Sequence, residues 1–519
     1  MPGLIAAILM LPRVSENLYH RKIGITNAAT EKPLSRNPRV KKLLFLIFAM
    51  MTPLLSGCYG KGSSADPPSG MSATAGDGRV KVEWVPVAGV DYWLFSATDS
   101  SITAFNWSGL DHAYAASSAP TPFYMCGLIN DLPYYFVTNG RIDGGPGGAS
   151  STQVNATPYN ASDSSHWTLN PTPLAQPAYP NFILHNIYGI GYASLTTCGN
   201  NPSISSTGLF AAVGAGGAIF TSNDGITWSS EISPMSSSLN AIAGYAANQN
   251  NALNPGLRWM AVGDAGAVAY YDGTNWVNAN TYYPTSNLAT VNPSNNILRS
   301  VIQVSGTFYA VGDAGTIISS PDAITWTHRP YNAANATTYN LNGVTYGGGL
   351  YVAVGDNGTL LTSSDGNTWA IPIQTPALAI SANLNKVAAF TSVYGNIYVA
   401  VGDGGTIVTR TSNNYNNNLN WTAQTPLTGN PDLVGITVEA RGVETNSAWG
   451  TIPAVDPKLG FISSAQFVAI DSSGNYYTSV NGYDWSSAIP TGAGSLNTLT
   501  SSGFGYVTGG NAGVSAYAF

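Results

Sequence analysis

One phrase recurs seven times beyond residue 200, and it constrains the fold more than any other feature of the chain. The clear copies are FAAVGAGG at 210, WMAVGDAG at 259, FYAVGDAG at 308, YVAVGDNG at 351 and YVAVGDGG at 398, and the looser copies are FVAIDSSG at 467 and YVTGGNAG at 506. A strand-like segment precedes each copy, and a second apolar strand and a Trp-bearing strand follow most of them. Each repeat therefore predicts four short antiparallel strands joined by tight turns.

Four antiparallel strands in every 40 to 50 residues are typical of the blade of a β-propeller. The sequence thus predicts an all-β protein in which residues 160–519 form a seven-bladed propeller. Trp-bearing strands follow six of the repeats, and the chain reaches Phe519 without a seventh, whereas SDSSHWTLN at 162–170 has the same pattern. We expect Asp163–Leu169 to supply the outer strand of the last blade and so remove a free sheet edge.

The turns before the Trp strands share a second pattern. They read SNDGITW (222–228), SPDAITW (320–326), SSDGNTW (363–369) and SVNGYDW (479–485). They resemble the Asp-box, or BNR repeat, of sialidase-like and sortilin-like propellers, and the whole repeat is similar to the photosystem II assembly-factor propellers and their bacterial relatives. In such a turn the Asp accepts backbone N–H groups and the Trp packs between blades. We therefore predict structural roles for Asp224, Trp228, Asp322, Trp326, Asp365, Trp369 and Trp485. The repeated Asp264, Asp313, Asp356 and Asp403 are predicted to hold turns in the same way.

Residues 70–158 have the alternation of a separate β-sandwich. In RVKVEWV (79–85) Val80, Val82 and Trp84 alternate with polar residues, and Tyr134, Phe136 and Thr138 alternate in PYYFVTNG. The segment GLINDLPYYFVTNGRIDGGPGGASSTQVNATP resembles the C-terminal half of fibronectin type III domains, with Trp84 in the place of the buried Trp of the second strand. The resemblance implies a seven-stranded sandwich that acts as a spacer or adhesion module and has no catalytic residues.

The segment before the sandwich predicts export and lipid attachment. A basic stretch at 39–42 precedes a mostly apolar segment of thirteen residues (43–55), too short to span a bilayer as a helix, and Leu55-Ser56-Gly57-Cys58 resembles the lipobox of bacterial lipoproteins. This resemblance implies a signal peptide at 40–57, lipid on Cys58 and a membrane-anchored protein of the cell envelope, at the outer membrane where there are two. Residues 58–69 are predicted to be a flexible tether. We expect translation to start near Val40, which makes residues 1–39 a mis-assigned extension.

The other bulk features exclude several classes of function. Only 9% of the residues are charged and the net charge is −7, so nothing in the chain predicts nucleic-acid binding. The five His and three Cys have no metal-ligand spacing, and no cofactor is expected. Cys126 and Cys198 either form one disulfide or remain two separate buried thiols.

The sequence favours a non-catalytic binding or scaffolding protein, monomeric, with a protein or polysaccharide ligand. Propellers bind at the mouth of the central channel, and Arg299, Arg441 and Glu439 are the candidate ligand-binding residues there, although a surface ion pair also suits Glu439. A glycoside hydrolase or an assembly factor for an envelope complex remains the alternative. Sialidases need an arginine cluster, and the propeller region has five Arg in total, so no catalytic residue is predicted.

Overall fold

The computed structural model describes most of the chain beyond residue 61. The described ranges are 62–76, 79–119, 121–126, 128–129, 131–159, 168–170, 175–176, 183–193, 209–247, 256–279, 296–323, 325–329, 338–374, 377–392, 394–413, 420–440, 458–459, 465–502 and 505–518. The predicted signal peptide at 40–57, Cys58, Cys198, Arg441 and the side chain of Cys126 lie outside them. In the described ranges no helix is long and apolar enough to cross a membrane.

The first eight strands form two antiparallel sheets. They are β1 (Ser63–Ala65), β2 (Ser69–Gly76), β3 (Arg79–Val85), β4 (Asp91–Ala97), β5 (Tyr114–Ala116), β6 (Phe123–Cys126), β7 (Tyr134–Ile142) and β8 (Val154–Ala156). One sheet has the order β2-β3-β6, and the other has the order β1-β7-β4-β5 with β8 also paired to β7. Val82 of β3, Leu94 of β4 and Phe136 of β7 are fully buried in one core. The two sheets therefore pack as a sandwich around the alternating apolar residues.

Strand β1 corrects the predicted tether of residues 58–69. Ser63–Ala65 pairs with Gly140–Ile142 of β7 instead of remaining free. Glycines make this pairing possible: a Cβ at Gly140 would lie 2.6 Å from the Asp66 carbonyl oxygen, and one at Gly148 would lie 2.1 Å from that of Ala65. Gly140 within β7 and the Gly-rich segment after it thus leave room for the incoming chain.

The described residues between 168 and 518 form seven further antiparallel sheets and one short hairpin. The segment after the sandwich gives β9 (Thr168–Leu169) and the hairpin β10 (Ala175–Gln176) and β11 (Ile183–Leu184). Sheet 1 contains β12 (Ile187–Ala193), β13 (Leu209–Gly214), β14 (Ile219–Ser222) and β15 (Ser229–Ser230). Sheet 2 contains β16 (Leu239–Ala247), β17 (Gly256–Gly263), β18 (Val268–Tyr271) and β19 (Trp276–Asn278). Sheet 3 contains β20 (Leu298–Val304), β21 (Thr307–Gly312), β22 (Ile317–Ser320) and β23 (Thr327–His328).

The remaining four sheets continue this order. Sheet 4 contains β24 (Leu341–Gly347), β25 (Leu350–Gly355) and β26 (Leu360–Ser363). Sheet 5 contains β27 (Leu384–Thr391), β28 (Gly395–Gly402), β29 (Ile407–Asn413) and β30 (Thr422–Ala423). Sheet 6 contains β31 (Leu433–Ala440), β32 (Ala465–Asp471), β33 (Asn475–Ser479) and β34 (Ile489–Pro490). Sheet 7 contains β35 (Leu496–Ser501), β36 (Tyr506–Gly510) and β37 (Ser515–Ala518), with β9 as its outer strand.

The first strands of the seven sheets form a closed ring. Each packs against the first strand of the next sheet, and β35 of sheet 7 packs against β12 of sheet 1. The arrangement is propeller-like: every sheet has its first strand at the centre and its later strands further out. Apolar residues of neighbouring sheets fill the space between them, as where Val311 and Tyr309 of sheet 3 share a core with Leu341 and Trp369 of sheet 4.

Strand β9 closes the ring from the N-terminal side. Leu169 pairs with Ala516 and Thr168 with Tyr517 of β37, and the Asn170 N–H donates to the Ser515 carbonyl oxygen at 2.9 Å. For Thr168 and Leu169 this pairing is the one predicted for the outer strand of the last sheet, whereas residues 163–167 of the predicted strand lie outside the described residues. The outer edge of sheet 7 is covered by backbone pairing, which leaves no free edge at β37.

Sheet 4 departs from the predicted four strands. Its fourth position is a single bridge between Thr362 and Ala370. The following residues read IPIQTP (371–376), with Pro372 and Pro376. Since proline has no N–H, this segment cannot extend the ladder beyond the bridge. Ile371 and Ile373 beyond the bridge are exposed.

The turn between the second and third strands explains the recurring VGD-x-G phrase. In six sheets a single 3-10 turn lies here, such as Asp403–Gly405 in sheet 5, where Gly404 has φ of 61°. The glycine before the turn is required for a different reason, since a Cβ at Gly402 would lie 1.9 Å from the carbonyl oxygen of Asn383. The residue before the first strand thus lies too close to this glycine for any side chain.

Candidate functional site

The beginning of each first strand places one side chain at the centre of the ring. A buried Leu or Ile opens every first strand, and the register then shifts at the next residue. Such a bulge leaves the extra residue unpaired and turns its side chain away from the sheet. The bulge residues of sheets 1 to 7 are Tyr188, Asn240, Arg299, Asn342, Asn385, Val434 and Asn497.

All seven bulge residues line one polar cavity. Its volume is about 410 Å³, and its lining is completed by Asp264, Ile297 and Lys386. We call it the axial cavity, because it lies inside the ring of first strands. A cavity of this size falls in the range of small-molecule sites, about 300 to 1,000 Å³.

Four asparagines at the rim of the axial cavity are held by two hydrogen bonds each. Asn385 Nδ2 donates to Asp403 Oδ1 at 2.7 Å and to the Leu433 carbonyl oxygen of sheet 6 at 3.0 Å. Equivalent pairs of bonds hold Asn240, Asn342 and Asn497, and the last reaches the Ile187 carbonyl oxygen of sheet 1. The asparagines therefore connect neighbouring sheets and have fixed positions around the cavity.

A second row of side chains joins the turns of neighbouring sheets. Asn383 Nδ2 donates to Asp403 Oδ2 of its own sheet, and its Oδ1 accepts the Asn357 N–H of sheet 4. Asn340 has the same two contacts one sheet earlier. The carboxylates of Asp356 and Asp403 thus accept hydrogen bonds from side-chain amide groups, whereas the sequence predicted that they accept backbone N–H groups of the turn.

Sheet 3 replaces the rim asparagine with Arg299. Its Nε donates to Asp313 Oδ1 at 2.6 Å, and the two side chains are 36% and 25% exposed. Arg299 thus takes the place of the amide in the contact with the turn, but its guanidinium extends the site with further N–H donors. Arg299 is one of the three ligand-binding candidates predicted from the sequence, and it lines the axial cavity.

Lys386 adds a second cation to the axial cavity. Its Nζ donates to the carbonyl oxygens of Asn342 at 3.2 Å and Arg299 at 3.5 Å, in the two preceding sheets. Desolvation, together with the nearby Arg299, lowers the pKa of Lys386 to about 8. The same position in the other sheets is held by the smaller residues Gly189, Ala241, Ser300, Gly343, Gly435 and Thr498. Only sheet 5 therefore sends a long cationic side chain from this position.

The turns of the second sequence pattern lie away from the axial cavity, between the third and fourth strands. In sheet 4, Asp365 Oδ1 accepts the N–H groups of Asn367 and Thr368 at 2.8 and 2.9 Å, and Trp369 Nε1 donates to the Gly366 carbonyl oxygen. The Thr368 N–H is the main cause that holds the pKa of Asp365 below its usual value. Asp224 and Asn481 accept the corresponding N–H groups in sheets 1 and 6, and Asp322 accepts that of Thr325.

The tryptophans of these turns belong to the cores between sheets. Trp326 of sheet 3 shares a core with Met260 and Val262 of sheet 2, and Trp369 shares one with residues of sheet 3. Trp228 packs against the core between sheets 7 and 1, and Trp485 against the core between sheets 5 and 6. The Asp and Trp residues of this pattern have structural contacts and do not line the axial cavity.

Glu439 does not reach the axial cavity. It lies near the far end of β31 and forms an ion pair with Arg79 of the sandwich, and the two side chains are 2% and 5% exposed. The sequence suggested a surface pair for this residue, whereas the pair is buried and joins the sandwich to sheet 6. The carboxylate is therefore assigned to packing and not to ligand binding.

Sequence reasoning missed Lys386 and the four rim asparagines. A signal was present, because the segments LNAI, LNGV, LNKV and LNTL begin four of the first strands. The recurring Leu is the buried residue before the bulge, and the Asn after it is the rim residue. Within the described residues no group of three or more His, Cys, Asp or Glu could hold a metal ion.

A closed ring of antiparallel sheets around a polar cavity makes this chain an all-β, propeller-like protein. No protein-family model matches it, and no curated protein matches it. Among solved structures it is similar to YCF48 from Cyanidioschyzon merolae, with 14% identity, a TM-score of 0.44 and coverage of 68% of this chain and 98% of that one. A structure of YCF48 bound to D1 peptide gives 14% identity and a TM-score of 0.43, with coverage of 68% and 96%. The WD40 β-propeller domain of Doa1 gives 9% identity and a TM-score of 0.41, with coverage of 68% and 96%.

Proposed function

We propose that this chain is a non-catalytic binding protein of the cell envelope, which receives a protein or polysaccharide ligand in the axial cavity of a seven-bladed propeller. The observation that carries the proposal is the convergence of one side chain from every first strand on a single polar cavity. The contacts that fix these side chains belong to the ring itself, so the site is organised before any ligand arrives. Preorganisation of this kind reduces the entropy lost on binding.

The chemistry of the lining favours binding over hydrolysis. Glycoside hydrolases of the common types place two carboxyl groups on either side of the bond to be cleaved. Among the ten lining residues, Asp264 is the one carboxylate, and its Oδ1 accepts a hydrogen bond from Asn240. The remaining groups are amides, two cations, one Tyr and two apolar side chains, which suit recognition.

We further propose that residues 70–158 are a fibronectin type III-like stalk and that lipid on Cys58 anchors the protein in the outer membrane. The sandwich order supports the first part, since β2-β3-β6 faces a sheet in which β8, β7, β4 and β5 are neighbours. The LSGC motif at 55–58 supports the second. Replacement Cys58→Ala should abolish labelling by an alkyne fatty acid and release the protein from membranes, and unchanged labelling would contradict the anchor.

The binding function can be tested with a variant that fills the axial cavity. Val434 lines the cavity, whereas Ile232 is 91% exposed elsewhere on the ring. We expect capture of a ligand from envelope extracts, or on a glycan array, to be lost in Val434→Trp and kept in the matched control Ile232→Trp. Thermal unfolding of both variants checks that the ring is intact. Equal capture by a folded Val434→Trp protein, or turnover of glycosides by the native chain, would refute the proposal.

A further inference from the structure

The axial cavity offers hydrogen-bond acceptors in a fixed arrangement. Asn240, Asn342, Asn385 and Asn497 each use both Nδ2 hydrogens in contacts with a turn residue and a neighbouring carbonyl. In the described part of the chain, nothing donates to their Oδ1 atoms. Four amide oxygens around one cavity suit a ligand that presents several hydroxyl donors.

The same cavity offers donors that carry positive charge. Arg299 uses Nε in its pair with Asp313, which leaves its two terminal nitrogens for a ligand. Lys386 gives two of its three hydrogens to backbone carbonyls. Among the described residues no carboxylate forms an ion pair with it, although Asp264 lines the same cavity and accepts a hydrogen bond from Asn240. A cation without an ion-pair partner in a partly desolvated site favours an anion there.

We propose that the axial cavity binds an acidic sugar residue, with its carboxylate on Lys386 and Arg299 and its hydroxyl groups on the rim asparagines. The inference rests on the proposed binding function and names the ligand class. A sugar acid combines several hydroxyl donors with one carboxylate, which matches the four amide oxygens and the two cations. A peptide end would leave most of the amide oxygens without a donor, since it carries one carboxylate and few N–H groups.

The size and lining of the cavity agree with this ligand. A volume of about 410 Å³ holds a sugar unit with parts of its neighbours. Tyr188 adds an aromatic side chain and a hydroxyl group, and Ile297 and Val434 are the two aliphatic residues of the lining. Recognition would therefore depend on polar contacts, and loss of the negative charge on the ligand should lower its affinity strongly.

Matched ligands test the charge directly. Isothermal titration calorimetry of the full chain would compare trimers of galacturonate, glucuronate and mannuronate with their methyl esters, which keep the hydroxyl groups and lose the charge. We expect at least one acidic trimer to bind, and its ester to bind at least about tenfold more weakly, as for the loss of a charge-assisted hydrogen bond. Lys386→Met removes one of the two cations proposed to contact the carboxylate, so it should weaken binding of the acid at least about threefold more than binding of the ester.

The control and the contrary outcomes separate this inference from the proposed function. Lys458→Met removes a half-exposed cation outside the cavity lining, paired with Asp484, and should not change either affinity. Equal affinity for acid and ester, or an acid affinity that Lys386→Met leaves unchanged in a folded protein, would overturn the sugar-acid inference. Absence of binding to every trimer at millimolar concentration would overturn it too. The binding function would still stand if a cavity-dependent ligand of another class were captured.

Discussion

Replacement of Lys386 by Met should change the stability of the ring in a manner that depends on pH. The pKa of Lys386 is lowered from 10.5 to about 8, mainly by desolvation. A shift of this size corresponds to a cost of about 3 kcal/mol for holding the ammonium in the folded protein. Met has a similar length, carries no charge and removes this cost.

The sign follows from proton binding. Between pH 8 and 10.5 the unfolded chain binds the Lys386 proton and the folded chain does not, so the native protein gains stability as pH rises through this window. Below pH 8 the folded protein carries the full cost of holding the charged Lys386 ammonium, and above pH 10.5 this cost is absent. Met also loses the two donations to Arg299 and Asn342 carbonyl oxygens, at about 1 kcal/mol each. Lys386→Met should therefore be more stable than the native chain by about 1 kcal/mol at neutral pH and less stable by about 2 kcal/mol at the top of the window.

The measurement is urea-induced unfolding followed by tryptophan fluorescence at several pH values, with the native chain and both variants in parallel. Tyrosine ionisation affects every protein equally and cancels in the difference. Lys458→Met is the matched control, because its side chain is 48% exposed and forms an ion pair with Asp484. A stability difference between Lys386→Met and the native chain that stays constant from neutral pH to the top of the window would refute the reasoning.

Three further perturbations test other contacts of the fold. Arg79→Met should lower the free energy of unfolding by about 3 to 5 kcal/mol because it removes a cation from its ion pair with the buried Glu439 carboxylate, and the double variant with Glu439→Leu should recover most of it in denaturant titrations. Asp365→Ala should cost about 1 kcal/mol through loss of the carboxylate oxygen that accepts two N–H groups, whereas Asp365→Asn should be nearly neutral in the same assay; an equal loss would contradict the acceptor role. Gly402→Ala should lower the melting temperature far more than Gly404→Ala, since the first Cβ would lie 1.9 Å from a carbonyl oxygen and the second has nothing within 4 Å; similar melting temperatures would contradict the close approach.

The repeated sheets could be predicted because their determinants are local. The VGD-x-G turn, the buried residues on either side of it and the Trp after the next turn all lie within one repeat. The closing strand could also be predicted, since SDSSHWTLN has the Trp-strand pattern at the opposite end of the repeat region. Sheet 4 differs because Pro372 follows the bridge at Ala370, and the residues were visible in the sequence. The prediction of a fourth strand in sheet 4 is therefore wrong, because Pro372 has no N–H group to continue the ladder.

The candidate site was predicted only in part, because its key contacts join distant repeats. Arg299 could be placed near the channel from its position in a first strand. Lys386 was missed, and its role depends on carbonyl groups in two other sheets. The partner of Glu439 lies 360 residues away in the sandwich, and nothing local identifies it. Distances between sheets, rather than the pattern within one sheet, determine which side chains meet.

The pairing of β9 with β37 has a consequence for the order of folding. Sheets 1 to 6 can form from neighbouring residues as the polypeptide emerges, whereas β9 cannot pair until β37, the final strand, has been synthesised. Until then the nascent ring is an open arc with two bare edges, and closing it brings together segments that are far apart in sequence, which slows the step. During that interval β37 of one molecule can pair with β9 of another, so domain-swapped oligomers are the misfolded species to which this architecture is exposed.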